Sequence, residues 1–286
     1  MRITDPPPTT LIDLYELTMA QAYWSSGHTG SATFSLVFRK YPENRGYYLT
    51  AGLAAVLNFL ESFEFDDEDI IALDNLGRFD RKFLRFLSGV QFTGQVRAMT
   101  EGTICGEGTP VLEVTAPIIQ AQIVETFLLN QVSLHSTLAT KASRGIHVAK
   151  GKTIVDFGAR RTQGVNAAEA FARSSYLAGF TGTSNIHAGT SYGIPVVGTM
   201  AHSFVQSYAT ELEAFRAYAE SFPDKTTVLV DTYSTNNGLQ NSIRLALEMK
   251  RRGQKLNAVR LDSDDLGRLS RQAREMLDNA GLREVK

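Results

Sequence analysis

The sequence predicts an α/β protein, in which an N-terminal α+β domain precedes a parallel β-sheet covered by helices on both faces. Two observations predict this. The first part of the chain mixes short helical and strand-like patterns. Beyond residue 150, short apolar runs alternate with helical patterns, and this alternation is typical of βα units that build a parallel sheet. We place the boundary near the helical pattern that begins at residue 118, which gives domains 1–117 and 118–286.

The composition is that of an ordinary globular protein. Of 286 residues, 43% are hydrophobic and 21% are charged. The 29 basic and 30 acidic residues leave a net charge of −1, which argues against a surface-wide nucleic-acid site. The single cysteine, Cys105, excludes an internal disulfide and is typical of a reducing compartment. With no apolar run near the roughly 20 residues of a membrane span and no signal-peptide core, we expect a cytoplasmic protein without a membrane partner.

The first elements follow a polar, proline-rich lead-in over residues 1–10. Apolar residues at helical offsets predict a helix over residues 11–23, with Asp13 as its N-cap. Aromatic and small residues alternate over 31–40, and this alternation predicts a half-buried strand.

The rest of the N-terminal domain combines helices and hairpins. Acidic turns separate helical segments over residues 51–90, and the charges of FDDED (65–69) suit a helix start. Closely spaced glycines and prolines predict β-hairpins over 91–118. One long helix is predicted to follow, from Ile118 to Val148.

The second domain repeats one pattern: a short apolar run that ends in polar residues. Nearly continuous apolar strands indicate a sheet covered on both faces. A helical stripe follows the second run, with apolar residues four and three positions apart at Phe204, Tyr208, Leu212, Phe215 and Tyr218. The runs are TIVDFGARR (153–161), PVVGTMAHS (195–203), TVLVDTYS (227–234) and AVRLDSDD (258–265), with a weaker fifth candidate, GFTGTSN (179–185).

The number of residues does not suit a closed barrel. From residue 153 onward the chain has about half of the roughly 250 residues that a complete eight-stranded α/β barrel takes. The sheet is therefore either open and doubly wound, or the chain stops short of its fold.

Side chains that can carry chemistry gather at the ends of the predicted strands, where parallel sheets bind their ligands. Arg160, His202, Asp231 and Asp262 occupy these positions. His202 precedes a helical pattern, where free backbone N–H groups attract anions and an imidazole can accept a phosphoryl group. A histidine that only caps the helix fits this position equally well.

The other candidates also have two interpretations. The Arg160 guanidinium suits a carboxylate or a phosphate, and a surface ion pair is the alternative. Phe157 can offer its ring to a planar substrate or pack in the core. The aspartates can hold Mg²⁺ or sugar hydroxyls. Asp264 and Asp265 suit helix capping, so Asp262 is the better functional candidate.

No metal-ligand spacing and no glycine-rich dinucleotide or Walker motif is present. We assign structural roles to the three histidines that lie elsewhere in helical or turn patterns, which are His28, His135 and His147.

Eight motifs, in order, resemble the nicotinate phosphoribosyltransferase family. The likeness runs from about residue 10 to the last residue. The motifs are DLYELTMAQAYW (13–24), FSLVFRKYPENRGY (34–47), ATKASR (139–144), DFGARRTQG (156–164), GTSNIHAG (182–189), GTMAHSFVQS (198–207), LVDTY (229–233) and AVRLDS (258–263).

The resemblance implies a specific reaction. This family condenses nicotinate with phosphoribosyl pyrophosphate, coupled to ATP hydrolysis, and releases nicotinate mononucleotide and pyrophosphate in NAD salvage. It implies Mg²⁺ as cofactor, ATP as co-substrate, no nucleic-acid or membrane partner, and a homodimer with shared active sites. The departing pyrophosphate needs cations more than a strong base.

The resemblance also implies roles for individual residues. His202 would be transiently phosphorylated and Arg160 would bind the substrate carboxylate or a nearby phosphate. Phe157 would lie against the pyridine ring, and Tyr15 of a neighbouring subunit would stack on the other face. The phosphoribosyl group would meet the remaining polar residues at the strand ends, which are Asp231, Arg260 and Asp262. Amide-using relatives carry an aspartate near the position of Ser184, so an uncharged residue here favours the acid.

The chain departs from the family pattern in four places, one of which is the entry motif, LIDLY where the family has LTDLY. Asp264 replaces a glycine of DSGDL, and Ser234 replaces a carboxylate of DTYDT. Family members continue with a further strand and a glycine-rich phosphate-binding loop, whereas this sequence ends at GLREVK, so we expect an unfinished (β/α) barrel. Two alternatives to an active enzyme of this family remain: a non-catalytic or split homologue, and a different glycosyl-transfer enzyme on the same scaffold.

Overall fold

The computed structural model describes residues 8–286 and confirms the α/β class. The chain forms two compact units, of which the first ends at Val197 and the second comprises Gly198–Lys286. This division does not coincide with the predicted domain boundary at residue 118, which stays a prediction. Most of the predicted lead-in lies outside the described residues. Within residues 8–286, no helix has the length and apolar character needed to cross a membrane.

The first unit begins with the predicted mixture of helices and antiparallel strands. Three strands form one antiparallel sheet in the order Ser31–Val37, Pro110–Pro117, Gln95–Ala98, and a second pair joins Tyr48–Leu49 to Ile104–Cys105. The helices are α1 (Leu14–Ser25), α2 (Leu53–Glu61), α3 (Asp67–Asn75), α4 (Arg81–Leu87), α5 (Ile118–Ile123), α6 (Glu125–Ala149), α7 (Val165–Leu177) and α8 (Ile186–Tyr192), and the strands are β1 (Ser31–Val37), β2 (Tyr48–Leu49), β3 (Gln95–Ala98), β4 (Ile104–Cys105) and β5 (Pro110–Pro117).

Local signals account for the helix starts in this unit. Asp13 precedes α1 as predicted, but its side chain makes no capping bond. Instead, its carboxylate accepts a hydrogen bond from Thr126. Asp66 forms a capping box with Asp69 at the start of α3, which explains the acidic FDDED segment. The aromatic core of the unit packs beneath these helices and includes Phe59, Phe83 and Phe127.

The single helix predicted from Ile118 to Val148 is wrong. Val124 separates α5 from α6, and its φ of −95° and ψ of −6° lie at the margin of the right-handed helical region, away from the usual helical values. This β-branched side chain is 1% exposed, so burial in the core holds the break in place.

The three runs predicted as strands before residue 198 are also shorter than expected. Single parallel bridges join Asp156 to Thr183 and Thr183 to Val196, so the segments lie side by side in the predicted sense. None extends into a regular strand. A 3₁₀ helix, Ala159–Arg161, follows directly after Gly158 and ends the first segment, and Pro195 has no N–H to donate to a ladder.

The second unit is a small parallel sheet with helices. Its elements are α9 (His202–Gln206), α10 (Glu211–Ser221), β6 (Thr227–Leu229), α11 (Thr235–Arg251), β7 (Ala258–Arg260) and α12 (Leu266–Asn279). β6 and β7 pair in parallel, with Leu229 opposite Arg260. On β7, the N–H of Val259 donates to the carbonyl of Lys286 at 2.9 Å.

The helical stripe predicted from Phe204 to Tyr218 is split in two. α9 ends at Gln206, and Thr210 opens α10 with a capping box to Glu213. The side chains of Thr210 and Glu213 each accept a hydrogen bond from the other's backbone N–H. These bonds satisfy N–H groups that have no partner at the start of a helix, so a new helix begins there. Phe204 and Tyr218 still pack against each other, with ring centroids 5.9 Å apart.

Candidate active site

Polar side chains meet at the carboxyl ends of β6 and β7. Asp231 follows β6, whereas Arg260 ends β7 and Asp262 follows it. Because the two strands run parallel and in register, these ends lie at the same edge of the sheet. The structure thus brings His202, Asp231, Arg260 and Asp262 together in the second unit.

Asp231 is held by the chain that follows β7. Its Oδ2 accepts hydrogen bonds from the Asp262 N–H and from the Ser263 hydroxyl, both at 2.7 Å. Its Oδ1 is buried and has no hydrogen-bond partner among residues 8–286. A buried acceptor without a partner costs about 1–3 kcal/mol, so a ligand that reached this oxygen would relieve an unfavourable contact.

Close packing of α11 sets the position of Asp231. A Cβ added to Gly238 would lie 2.0 Å from the carbonyl oxygen of Val230. Only a glycine lets the helix backbone approach the strand end this closely. Gly238, three residues after the LVDTYST segment, therefore helps to position the site, although it carries no reactive group.

Arg260 connects the end of β7 to the loop before α9. Its guanidinium donates to the Thr199 hydroxyl at 3.1 Å, to the Met200 carbonyl at 3.3 Å and to Asp262 at 2.8 Å. The hydrogen bond and charge of Arg260, with a smaller effect of His202, lower the pKa of Asp262. Asp262 is therefore a carboxylate at neutral pH.

His202 lies between a hydroxyl and this carboxylate. Its Nδ1 is 3.2 Å from the Thr232 hydroxyl oxygen, and its Nε2 is 3.6 Å from Asp262 Oδ2. His202 is the first residue of α9, as predicted, but α9 has only five residues. The neighbouring carboxylate can stabilise an imidazolium, and a hydrogen-bonded ring nitrogen fixes which nitrogen acts as the nucleophile.

The other predicted site residues are in the first unit. Asp156 is 1% exposed and accepts hydrogen bonds from the Gly158 N–H and the Thr183 hydroxyl, both at 2.7 Å. These bonds hold the DFG turn against the GTSN turn. Phe157, between them, is 42% exposed.

Arg160 and Ser184 line one open cavity of about 670 Å³. The 3₁₀ helix supplies the first residue, and the turn before α8 supplies the second. Other residues of the lining are Thr162, Gly164, Val165, Glu169, Asn185 and His187. The structure therefore brings together Arg160, to which the resemblance assigns the substrate carboxylate, and Ser184, to which it assigns the preference for the acid over the amide.

Sequence reasoning missed two residues of this cavity, Glu169 and His187. His187 Nε2 lies 3.7 Å from a Glu169 carboxylate oxygen, and the Tyr192 hydroxyl donates to the same carboxylate at 2.7 Å. His187 lies within the GTSNIHAG motif, and this position is the feature of the sequence that could have identified it as a site residue. Glu169 lies in a helix and offered none.

Tyr15 does not line this cavity. It lies in the first turn of α1 and is 46% exposed. Burial and the Glu125 carboxylate raise the pKa of its hydroxyl to about 12, so Tyr15 keeps its proton at neutral pH.

The capping predictions for the acidic segment are confirmed in one case. Asp265 is the N-cap of α12, and its side chain accepts from the Arg268 N–H. Asp264 is not a cap, because it lies before the N-cap in the left-handed region, with φ +62°. Glycine takes this conformation without strain, which gives the family's usual glycine at this position a physical reason.

The three histidines given structural roles lie where such roles fit. His135 is buried in α6, with its Nδ1 3.1 Å from the Ser174 hydroxyl, and burial lowers its pKa to about 4. His28 packs against Tyr23, with ring centroids 5.5 Å apart. His147 is in the last turn of α6.

A divalent cation fits the strand-end site, although no cluster of three His, Cys, Asp or Glu side chains suited to a metal occurs within residues 8–286. Mg²⁺ takes one or two protein carboxylates and completes its shell with water and substrate phosphates. Asp231, with its unpartnered Oδ1, and the ionised Asp262 meet this requirement.

Comparisons with known proteins agree on one family. A model of the nicotinate phosphoribosyltransferase N-terminal domain matches residues 10–133, and a model of the nicotinate phosphoribosyltransferase family matches residues 152–270. The chain is 52% identical to a nicotinate phosphoribosyltransferase of Mycobacterium tuberculosis, over 96% of this chain and 59% of that protein. It is 43% identical to the Bacillus subtilis nicotinate phosphoribosyltransferase, over 96% of this chain and 56% of that protein.

Solved structures share the fold. The human nicotinic acid phosphoribosyltransferase superimposes with a TM-score of 0.87 at 33% identity, over 94% of this chain and 64% of that chain. A nicotinate-nucleotide pyrophosphorylase from Pyrococcus furiosus, 23% identical, has the same fold with a TM-score of 0.79, over 100% of this chain and 68% of that chain. The chain spans somewhat more than half the length of the curated relatives that it matches. On these matches and the strand-end site, the chain belongs to the nicotinate phosphoribosyltransferase family.

Proposed function

We propose that the chain is the part of a nicotinate phosphoribosyltransferase that binds nicotinate and the phosphoribosyl donor. The single observation that carries this is the strand-end site, in which Asp231, Arg260, Asp262 and His202 meet within one unit. An arginine, two carboxylates and a histidine suit an anionic sugar phosphate, and none is an activated serine or cysteine.

The reaction requires substitution at the anomeric carbon of the ribose. The pyridine nitrogen of nicotinate donates its lone pair to C1′ as the bond from C1′ to the pyrophosphate oxygen breaks, and pyrophosphate leaves with that electron pair. The transition state is oxocarbenium-like, so positioning and charge stabilisation lower the barrier most. Asp231 and Asp262 hold the ribose and face its developing positive charge. Arg260 holds Asp262 in place.

We assign the pyridine ring to the first unit. Arg160 pairs with the nicotinate carboxylate, for which a guanidinium fork is suited. Ser184 in the same cavity is uncharged and adds no charge that would repel that carboxylate, which favours the acid over the amide. The Glu169 carboxylate of this cavity is occupied by the Tyr192 hydroxyl and His187. Phe157 offers an exposed ring face, and Tyr15 acts from a second copy of the chain in a homodimer.

ATP and Mg²⁺ complete the proposal. His202 attacks the terminal phosphoryl group of ATP, forming a phosphohistidine as ADP leaves, and the Asp262 carboxylate stabilises the ring. Mg²⁺, held by Asp231 and Asp262, would supply positive charge to the pyrophosphate. The substrates are small molecules, and we infer a cytoplasmic protein.

Turnover and histidine phosphorylation test this function separately. We expect the purified chain to form nicotinate mononucleotide from nicotinate, phosphoribosyl pyrophosphate, ATP and Mg²⁺, and to gain acid-labile phosphate from labelled ATP. His202→Gln should abolish that phosphate, since the nucleophile is lost. His147→Gln, a change at an exposed histidine in α6, should leave it intact.

Different results would contradict different parts of the proposal. Phosphate that survives in His202→Gln would remove the role of His202. Phosphorylation without turnover would indicate that this chain needs a further segment for catalysis. No phosphorylation and no turnover, with nicotinate and phosphoribosyl pyrophosphate failing to bind, would overturn the proposed function.

Asp264 is expected to weaken the binding of phosphate groups at this site. Its carboxylate adds a like charge near Asp262, and its φ of +62° suits glycine better. We expect Asp264→Gly to bind pyrophosphate about fivefold more tightly by titration calorimetry, which corresponds to roughly 1 kcal/mol of relieved repulsion. Asp264→Asn removes only the charge, so it separates repulsion from backbone strain. Unchanged affinity in both variants would contradict this prediction.

A further inference from the structure

A buried carboxyl group joins α1 to α6 in the first unit. Glu16 is fully buried. Its Oε1 accepts a hydrogen bond from the Thr126 hydroxyl at 2.5 Å. Its Oε2 is buried and has no hydrogen-bond partner among the described residues.

The groups around Glu16 are acidic. On the same turn, Asp13 Oδ2 lies 3.2 Å from the Thr126 hydroxyl oxygen, whose single proton can be donated to only one of these two carboxyl groups at a time, and Glu125 precedes Thr126 at the start of α6. Glu125 is itself bonded to Gln122 of α5, whose amide donates at 2.8 Å. No Lys, Arg or His forms an ion pair with Glu16 anywhere in residues 8–286, and the remaining titratable neighbour is the Tyr15 hydroxyl.

Such surroundings favour a neutral acid. An ionised carboxylate that is buried without a cation is strongly unfavourable. A proton on Oε2 removes that charge and leaves Oε1 to accept from Thr126. Consistently, burial together with the charges of Glu125 and Asp13 raises the pKa of Glu16 to about 7.

The same turn of α1 carries Tyr15. Glu16 points inward and is buried, whereas Tyr15 is adjacent in the chain and exposed. Asp13 and Glu16 both bond to Thr126, and the Glu125 carboxylate faces the Tyr15 hydroxyl. The first turn of α6 therefore holds the residues on either side of Tyr15 through Thr126 and faces the Tyr15 hydroxyl through Glu125.

We propose that Glu16 is a positioning residue, whose neutral carboxyl group holds the first turn of α1 on α6 and thereby presents Tyr15 to the pyridine ring of the substrate. The consequence for Tyr15 rests on the proposed function; the anchoring of α1 does not. When Glu16 ionises, its charge faces Asp13 and Glu125 across a buried contact, so the turn loosens and Tyr15 loses its fixed orientation.

The expected effect has a definite direction with pH. Because the folded state holds the proton more tightly than the unfolded chain, the anchor is intact below about pH 7 and weakens as the pH rises through this value. Weakening of this anchor affects the binding of nicotinate rather than the chemical step. The KM for nicotinate should therefore rise on the order of tenfold between pH 6 and pH 8.5 while kcat stays level.

Glu16→Gln tests this directly, since glutamine keeps the shape and the hydrogen-bonding oxygen but cannot ionise. Between pH 6 and pH 8.5, we expect the KM of this variant for nicotinate to stay at the value that the unmodified chain shows at pH 6. The matched control is Glu61→Gln, a change at an exposed glutamate of α2, which should follow the unmodified chain. If Glu16→Gln shows the same rise in KM, Glu16 does not position Tyr15.

Hydrogen exchange of the α1 amides gives a readout that needs no activity. The unmodified chain should lose protection in residues 14–20 above pH 7 relative to Glu16→Gln at the same pH, at least threefold. Equal protection would overturn the anchor itself. If the chain loses protection above pH 7 but shows no turnover, the anchoring of α1 by Glu16 is supported and the proposed function is contradicted. Failure of the anchor and failure of the proposed function therefore give different results.

Discussion

Replacing Gly238 with alanine is expected to lower the free energy of unfolding by about 3 kcal/mol or more, a large effect for one methyl group. Gly238 is inside α11, where alanine normally stabilises a helix by about 1 kcal/mol. Here the added Cβ would lie 2.0 Å from the Val230 carbonyl oxygen and 2.9 Å from the Val230 Cα. Both obstacles are backbone atoms, so relief requires the helix to move away from the strand end.

The same movement should impair the site. Val230 directly precedes Asp231, whose carboxylate bonds to the Asp262 N–H and the Ser263 hydroxyl. We expect Gly238→Ala to weaken the binding of pyrophosphate even at temperatures at which the variant is folded. Urea denaturation monitored by circular dichroism measures the stability loss, and titration calorimetry measures the binding.

Gly198→Ala is the matched control. A Cβ at Gly198 meets no atom within 4 Å, and its φ is not in the left-handed region. This variant should unfold within about 0.5 kcal/mol of the unmodified chain. A stability loss for Gly238→Ala no larger than that for Gly198→Ala would show that α11 does not need to approach Val230 so closely.

Replacing Arg173 with alanine is expected to lower the free energy of unfolding by about 3 kcal/mol. Arg173 of α7 forms two hydrogen bonds to Glu101, at 3.0 Å and 2.6 Å. The side chains are only 22% and 16% exposed. Without Arg173, a largely buried carboxylate would lose its countercharge.

Glu101 also connects two parts of the first unit. Its Oε1 accepts from the N–H groups of Gly52 and Leu53, at 2.6 Å and 3.1 Å, and thereby caps the start of α2. Loss of Arg173 should therefore also loosen α2. Thermal denaturation at pH 7 measures the total effect, and hydrogen exchange of α2 measures the local one.

The exposed pair of Arg216 and Glu248 provides the control. It also has two hydrogen bonds, from Nε and Nη2 of the arginine at 2.9 Å and 2.6 Å, but its side chains are 44% and 28% exposed. Arg216→Ala should cost much less stability than Arg173→Ala, because solvent screens the pair. Similar losses in Arg173→Ala and Arg216→Ala would contradict the argument that burial makes the Glu101 contact important.

Much of the strand-end site could be predicted from the sequence. The runs ending at Asp231 and Asp262 alternate with helical patterns, and parallel pairing then places their ends together. Within the second unit, these aspartates and His202 lie close together. Arg160 belongs to the first unit, where it shares a cavity with Ser184.

Other features could not be predicted. Val124 belongs to a continuous helical pattern, and only the backbone of the folded chain shows that the helix is interrupted there. The aromatic stripe after His202 predicted one helix, whereas the capping box at Thr210 begins a second. Periodicity reports which side of an element is apolar, but it does not report where tertiary contacts interrupt the backbone.

The sequence by itself determined the fold class, the family and the identity of the residues at the strand ends, because these depend on local periodicity and on motifs that are contiguous in the chain. Only the tertiary structure decided which acids are buried and what faces them. Glu16 meets Thr126, and Glu101 meets Arg173, across long separations in sequence. Protonation and ion-pair strength depend on solvent exclusion and neighbouring charge, which exist only once distant segments pack together.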